Sequence, residues 1–293
     1  MESLEQEIAK LSLGETKHGS IGEKTQHLLA GRHKPKTEVC GSKGLDAILG
    51  LISWNYKHES SKAGLGGSEK TKNALKILVE DDSVDIFSMQ ELLWTKNLHD
   101  QIYGKEVKSG KPYEFSVIHT FDESGFYFNS SMLKCEKISH AETPETNKDT
   151  FEFAWNNRVC IGKFTYKAEN HGELEFYGVS YHGPHKVGNH KKEDFRRKLF
   201  ERIRNLQETR YQSPFFITGD FNMDIQNLKV QDLKITLPDE PKRDPIDFMC
   251  VLNTNKSQWE VSLHECVYEK VEPYEGASTH PPIFAYLGFK RKL

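Results

Sequence analysis

Short, nearly continuous apolar runs recur along this chain from Leu45 almost to its last residue. Most are four to eight residues long and rich in Ile, Val, Phe and Tyr, which is typical of β-strands. Several lack apolar–polar alternation, so they are predicted to be buried on both faces of a sheet. The runs are Ala47–Trp54, Val84–Met89, Phe115–Ile118, Gly125–Phe128, Val159–Phe164, Leu174–Tyr181, Pro214–Thr218, Ile246–Leu252 and Pro282–Leu287.

Two stretches between these runs have a helical pattern. Ser68–Glu80 carries apolar residues among polar ones, and Lys192–Thr209 has one apolar stripe at i, i+4 and i+7 spacing. Strands that dominate, with a few helices between them, predict an α/β fold in which helices cover packed sheets.

The first 44 residues differ from the rest of the chain. They are rich in Lys, Glu, Gly, Ser and His, and large apolar residues are sparse. We therefore interpret residues 1–44 as a partly flexible extension and residues 45–293 as one domain.

Charge and cysteine content restrict the classes of partner and the compartment. The chain has 40 basic and 43 acidic residues, so a polyanion binder of this kind must concentrate its positive charge locally. The five cysteines form no CxxC pair, which argues against a zinc site and favours reduced thiols in the cytoplasm or nucleus. No stretch approaches the roughly 20 apolar residues of a membrane span. We expect an intracellular protein without a membrane segment, and a monomer is favoured.

Polar side chains stand at the ends of the apolar runs. Rigid strands that present polar groups at a sheet edge are what a preorganised site needs. The strand-end residues are Asn55, Gln90, Glu91, His182, Asp220, Asn222 and, before the last run, His280.

These residue types suit phosphodiester hydrolysis. The reaction needs an activated water, neutralised phosphate oxygens and a stabilised leaving alkoxide. A hard cation held by carboxylates supplies part of this. The candidates are Glu91 and Asp220 as ligand or base, Asn55 and Asn222 as ligand or phosphate contact, and His182 and His280 as acid or phosphate contact.

Taken in order, these motifs resemble the endonuclease/exonuclease/phosphatase superfamily, most closely its deoxyribonuclease I-like branch. The resemblance runs from about Leu45 to the C-terminus. The motifs are Ser-Trp-Asn55, Met-Gln90-Glu91, Tyr-His182-Gly-Pro, Thr-Gly-Asp220-Phe-Asn222, Pro-Ile-Asp247-Phe-Met and Ser-Thr-His280-Pro-Pro.

The resemblance implies a four-layer αββα sandwich, two packed mixed β-sheets flanked by helices, with the site at one end of the sheets. It implies Glu91 and Asn55 as metal ligands, with Mg²⁺ as the cofactor and Mn²⁺ as the alternative. It further implies that Asp220 and Asn222 face the scissile phosphate and that Asp220 aligns or deprotonates the water. It implies that His280 contacts the phosphate while Asp247 holds its ring. His182 would be a second catalytic histidine, and Arg158 would contact a substrate phosphate.

Two positions depart from the superfamily pattern. Thr279 stands where the superfamily usually has an aspartate beside the metal, which predicts weaker or altered metal binding. His119 stands where a glutamate normally orients the second histidine.

The sequence favours a metal-dependent nuclease that acts on DNA or RNA, with nucleic acid as the partner. The loop Gly183–Lys192, next to His182, carries Lys186, Lys191 and Lys192 and would form a basic rim for a nucleic-acid backbone. Two alternatives stay open at this point. One is a phosphoesterase acting on a phospholipid, a phosphoinositide or a small nucleotide, and the other is a catalytically weak binding module on the same scaffold.

Overall fold

The computed structural model describes residues 34–56, 78, 81, 83–91, 115–120, 124–138, 150–168, 172–184, 186–223, 233–236, 246–268, 280 and 282–292. The helices with described bounds are α1 (Lys36–Lys43), α2 (Phe151–Arg158) and α3 (Asn189–Leu206), which continues into a π-helical turn at Gln207–Tyr211. The strands are β1 (Ala47–Asn55), β2 (Ile86–Gln90), β3 (Phe115–His119), β4 (Ser124–Asn129), β5 (Leu133–Ile138), β6 (Val159–Ala168), β7 (Gly172–His182), β8 (Phe215–Asp220), β9 (Leu233–Thr236), β10 (Asp247–Leu252), β11 (Trp259–Tyr268) and β12 (Ile283–Arg291).

The described strands form two mixed sheets of six. Sheet 1 has the order β11-β12-β1-β2-β4-β3, and sheet 2 has the order β5-β6-β7-β8-β10-β9. Each sheet contains one parallel pair at its centre, β1 with β2 and β7 with β8. Antiparallel strands flank both pairs. The carboxyl ends of the two parallel pairs therefore provide two matching strand-end edges for a site.

The sheets pack face to face through a core of large apolar side chains. Phe126 of sheet 1 contacts Phe164 and Phe216 of sheet 2 edge to face, with ring centroids 5.4 and 5.8 Å apart. Helix α1 contributes Val39 to the outer core of sheet 1. Helices α2 and α3 cover the outer face of sheet 2 through Trp155, Leu199, Phe200 and Ile203. The predicted four-layer αββα sandwich is confirmed.

All nine predicted strands are present, and three further strands were not predicted: β5, β9 and β11. The helix predicted at Lys192–Thr209 begins three residues earlier, since Gly188 precedes its first turn, and it ends in the π-helical turn. Helix α2 was not predicted, and Thr150 caps it by accepting a hydrogen bond from the Phe153 amide at 3.1 Å. The predicted helix Ser68–Glu80 lies outside the described residues except for Leu78, which is helical and buried.

The last part of the predicted N-terminal extension packs on sheet 1. Lys36 Nζ donates to Asp85 Oδ2 at 2.6 Å, and the same oxygen accepts the Gly50 amide at 2.7 Å. Burial raises the pKa of Asp85, although the charge of Lys36 and its hydrogen bond oppose this. The rest of the extension, residues 1–33, lies outside the described residues. Among the residues that the structure describes, no helix has both the length and the apolar character needed to cross a membrane.

Candidate active site

The strand ends bring the predicted site residues to one edge of the sandwich. Asn55 ends β1, Glu91 follows β2, His182 ends β7, Asp220 ends β8, Asp247 begins β10, and His280 precedes β12. Strand register fixes their spacing, because Asp220 pairs with both His182 and Asp247 across sheet 2. The site therefore rests on buried strands, which hold side chains more rigidly than loops do.

Asp220 lies at the centre of this group and is 1% exposed. Its Oδ1 accepts the backbone amide of Asn222 at 2.7 Å, whereas Oδ2 accepts the side-chain amide of Asn55 at 2.9 Å. Gly219, the residue before it, has φ 146°, and a Cβ there would lie 1.9 Å from the Tyr181 carbonyl oxygen. Only glycine fits this position, because the backbone conformation and the close strand contact both exclude a side chain.

His280 and Asp247 form a hydrogen-bonded pair beside Asp220. His280 Nδ1 donates to Asp247 Oδ2 at 2.7 Å and lies 3.8 Å from Asp220 Oδ2. The indole Nε1 of Trp54 donates to the His280 carbonyl at 2.9 Å, which fixes the histidine backbone. The resemblance predicts this His–Asp pairing, and the structure contains it, whereas nothing in the sequence pointed to Trp54.

The electrostatics of this pair favour an imidazolium next to a carboxyl group. Burial raises the pKa of Asp247 to about 6, against the lowering effect of its hydrogen bond from His280. Burial lowers the pKa of His280, but the hydrogen bond to Asp247 and the nearby carboxylates outweigh it and raise that pKa above its ordinary value. His280 therefore keeps its proton to a higher pH than an ordinary histidine does.

Glu91 and Asn55 form the opposite side of the group, with His182 behind them. The Asn55 side-chain amide donates to Glu91 Oε1 at 3.3 Å as well as to Asp220. His182 Nε2 lies 3.2 Å from Glu91 Oε1 and 4.0 Å from Asp220 Oδ2. The Glu91 side chain is 27% exposed and that of His182 only 1%, so the carboxylate reaches the surface and the imidazole does not.

The donor set fits a hard divalent cation. Glu91 and Asp220 place two carboxylates around the Asn55 amide, and such oxygen donors are the ligands that Mg²⁺ and Mn²⁺ prefer. Within the described ranges, Asp220, Asp247 and His280 also offer ligand atoms within 4.8 Å of one another. In this second group, His280 Nδ1 is bonded to Asp247 Oδ2 at 2.7 Å. Both groups are therefore candidates for holding a cation.

Arg158 and Asn222 meet at one backbone carbonyl. Arg158 Nη1 and Asn222 Nδ2 both donate to the Gly183 oxygen, at 3.2 and 2.9 Å. The Arg158 carbonyl in turn accepts the Ser124 hydroxyl at 2.8 Å, which ties the end of α2 to sheet 1. Both predicted phosphate-facing residues therefore brace the chain directly after His182.

A buried polar seam behind the site was not predicted. Gln90 Nε2 donates to the Ser180 hydroxyl at 3.0 Å, and the Thr218 hydroxyl donates to that of Ser88 at 2.6 Å. Both bonds cross from one sheet to the other between apolar layers. No sequence signal marked the three hydroxyl residues of this seam, since single hydroxyl residues inside an apolar run look like ordinary strand residues.

No protein-family model matches this sequence, and no curated protein matches it significantly. The fold does match solved structures. The endonuclease/exonuclease/phosphatase from Bacteroides vulgatus has a TM-score of 0.56 and 20% identity, over 82% of this chain and 98% of that chain. This chain has the fold of the endonuclease/exonuclease/phosphatase superfamily.

Two eukaryotic members of the superfamily fold match over the same span. D. rerio TDP2, solved in complex with a single-strand DNA product, has a TM-score of 0.55 and 13% identity, over 82% of this chain and 99% of that chain. The human Nocturnin catalytic domain, solved with a bound sulfate anion, has a TM-score of 0.54 and 13% identity, over 83% and 95%. These likenesses bear out the predicted fold.

Of the two positions that depart from the superfamily pattern, His119 is among the described residues and Thr279 is not. Thr279 lies outside the described residues, so its predicted effect on metal binding stays a prediction. His119 Nδ1 contacts the Thr120 carbonyl at 2.7 Å. The ring nitrogen Nε2 of His182 faces Glu91 and Asp220, at 3.2 and 4.0 Å.

Proposed function

We propose that this chain is a divalent-metal-dependent phosphodiesterase, and specifically a nuclease that hydrolyses phosphodiester bonds of DNA or RNA. The observation that carries the proposal is the convergence of Asp220, the His280–Asp247 pair and the Glu91–Asn55 pair at one strand-end edge. A water-activating carboxylate, a cationic imidazole and an oxygen-donor metal site are what this hydrolysis requires.

Asp220 is assigned to the attacking water. Its Oδ1 is fixed by the Asn222 amide, which leaves Oδ2 to face Asn55, His280 and His182. Oδ2 orients the water and accepts its proton as the water oxygen bonds to phosphorus. Because the carboxylate is held by strand backbone, little reorganisation is needed when the reaction occurs.

The two histidines are assigned to the phosphate and the leaving group. Asp247 holds the His280 ring, so that the imidazolium donates a hydrogen bond to a phosphate oxygen as negative charge develops there. His182 Nε2 faces the same centre from the other side and is assigned to protonate the leaving oxygen as its bond to phosphorus breaks. Arg158, whose guanidinium bonds the Gly183 carbonyl directly after His182, is assigned to bind a substrate phosphate.

Glu91 and Asn55 are assigned to hold the cation. When bound, Mg²⁺ or Mn²⁺ supplies positive charge that stabilises the phosphate oxygens and the leaving alkoxide. The exposure of the Glu91 side chain fits a ligand that solvent and substrate can reach.

The surface beside the site supports a nucleic-acid substrate. Lys186, His190 and Lys191 are exposed shortly after His182, and Lys192 is half-buried next to them. A local cationic surface attracts a phosphate backbone even in a chain whose net charge is −3. D. rerio TDP2, of the same fold, was solved with a single-strand DNA product.

The test is hydrolysis of labelled single- and double-stranded DNA and RNA with Mg²⁺, Mn²⁺, Ca²⁺ or chelator, beside the Asp220→Ala variant. We expect cleavage that needs both the cation and Asp220. Absence of cleavage with every polymer and every metal would reject the nuclease. Turnover of a phospholipid, a phosphoinositide or a small nucleotide by the same sample would then identify the alternative phosphoesterase, and no turnover at all would leave a binding module.

A further inference from the structure

Helix α3 touches the turn that follows β8. Lys192, in the first turns of the helix, donates from Nζ to the backbone carbonyl of Asn222 at 3.1 Å. The two residues are 30 positions apart, so this contact joins two separate segments beside Asp220. The sequence alone placed Lys192 in a basic rim for substrate, whereas the contact is with the protein backbone.

Asn222 is held in an uncommon backbone conformation. Its φ is 51°, in the left-handed region that few residues other than glycine adopt. This conformation turns its backbone amide back to Asp220 Oδ1 at 2.7 Å, while its side-chain amide donates to the Gly183 carbonyl at 2.9 Å. The orientation of the Asp220 carboxylate therefore depends on the backbone position of Asn222.

We propose that Lys192 is a positioning residue for the reaction: by holding the Asn222 carbonyl, it fixes the turn whose amide orients Asp220. The inference rests on the proposed function for its effect on turnover. Charged donors make stronger hydrogen bonds than neutral ones, so this contact is suited to hold the turn in place. A displacement of about 1 Å at a reacting group can cost up to about a hundredfold in rate.

The alternative role for Lys192 is attraction of the substrate backbone. Loss of a residue of that kind would raise KM for a polymer in a salt-dependent manner and leave kcat on a small substrate unchanged. Loss of a positioning residue would lower kcat on a small phosphodiester that has no backbone to attract. Bis(p-nitrophenyl) phosphate is such a substrate, and it separates the two roles.

The variant Lys192→Met removes the donor and keeps the length of the side chain. We expect kcat on bis(p-nitrophenyl) phosphate to fall at least about tenfold with little change in KM. Lys192→Arg keeps a charged donor and should recover most of the loss. The matched control is Lys198→Met on the same helix, because Lys198 Nζ pairs with Asp194 at 2.8 Å on the surface and should not affect kcat. If Lys192→Met does not fold, Lys192→Gln takes its place with the same expectation.

A second measurement does not depend on activity. Hydrogen exchange of the Asn222 amide, followed by NMR, reports its bond to Asp220 directly. We expect exchange at least about tenfold faster in Lys192→Met than in wild type or Lys198→Met, since a loosened turn exposes this amide. An unchanged exchange rate, or an unchanged kcat in an active enzyme, overturns the proposal. If the wild type hydrolyses no phosphodiester, the proposed function fails separately, and the exchange rates still decide whether Lys192 holds the turn.

Discussion

Each sheet has a strand-end edge with the same backbone arrangement, but the two edges carry different side chains. In sheet 1, Tyr56 N donates to the Gln90 carbonyl at 3.0 Å just beyond the parallel pair, and in sheet 2, Gly183 N donates to the Asp220 carbonyl at 2.6 Å in the same manner. By register, Asn55 of sheet 1 matches His182 of sheet 2, and Gln90 matches Asp220. The second strand of the parallel pair thus ends in the side-chain amide of Gln90 in sheet 1 and in the carboxylate of Asp220 in sheet 2.

The difference lies in how each sheet holds its acidic residue. Asp220 is the last residue of its strand, and the Asn222 amide bonds its carboxylate directly. Glu91 comes one residue after its strand, with φ 54°, and its carboxylate contacts the side chains of Asn55 and His182. A group that must meet a reacting atom needs the tighter support, whereas a cation ligand can adjust to its ion. This difference fits the proposed roles, with the reacting carboxylate Asp220 on sheet 2 and the cation ligand Glu91 beside sheet 1.

The largest effect should come from the sheet 2 carboxylate. Asp220→Ala is expected to lower kcat by at least about a thousandfold, because general-base catalysis alone contributes up to about 10⁴-fold. The measurement is turnover of the best substrate with saturating metal. Asp194→Ala is the control, since Asp194 is a surface partner of Arg197 and Lys198. Near-normal turnover in Asp220→Ala would remove the assignment of the reaction to sheet 2.

Ionisation of the His280–Asp247 pair should determine how the rate depends on pH. The rate is expected to rise as Asp247 ionises near its pKa of about 6. It should then fall at a pH above the ordinary histidine value of 6.5, because the raised pKa of His280 governs loss of the imidazolium. Asp247→Asn should remove the acidic limb and lower kcat about a hundredfold, in the range of positioned acid–base groups. A profile with the same acidic limb in Asp247→Asn would show that another group titrates there.

The sheet 1 carboxylate should change metal dependence more than the reaction itself. Glu91→Gln is expected to raise the Mg²⁺ concentration for half-maximal activity by about tenfold or more, with partial recovery at high metal. Titration of Glu91→Gln and Asp220→Ala with metal compares the two carboxylates directly, since added Mg²⁺ should not restore the activity of Asp220→Ala. Equal metal dependence in Glu91→Gln and wild type would move the cation away from sheet 1.

The smallest effect should come from the seam that joins the sheets. Thr218→Val keeps the shape of the side chain but removes its bond to Ser88, which should lower the free energy of unfolding by about 1 kcal/mol. Activity should stay within about threefold, because the strand ends keep their backbone bonds. Thr165→Val is the control, since Thr165 on β6 is half-buried, and denaturant unfolding is the measurement. A loss of activity of more than about threefold in the folded Thr218→Val variant would show that the seam is part of the site.

The sequence predicted the central strands because their burial on both faces leaves an uninterrupted apolar run. β5 could not be found in this way, since it is an edge strand whose burial pattern leaves only Leu133 fully buried. β11 was missed for a related reason: polar residues such as Glu260 and His264 interrupt it, and its pairing shifts between His264 and Val267. Helix α2 is a single short element whose aromatic residues carry no clear helical period.

The site was predictable where chemistry depends on residue type at a strand end, as for Asp220 and His280. It was not predictable where a residue acts through long-range contact with backbone. Trp54 and Lys192 both donate to carbonyls of site residues that are distant in sequence, 226 and 30 positions away. No local pattern encodes such a contact, because it exists only after the sheets have packed.

The bond from Trp54 to the His280 carbonyl gives the protein an optical reporter of its own. Trp54 is 1% exposed, so its indole emits from a dry environment while its Nε1 stays bonded beside the site. Any movement of His280 that breaks this bond changes the polarity around the fluorophore. The emission difference between the wild type and Trp54→Phe therefore follows the position of the histidine during a titration with metal or substrate, without an attached dye.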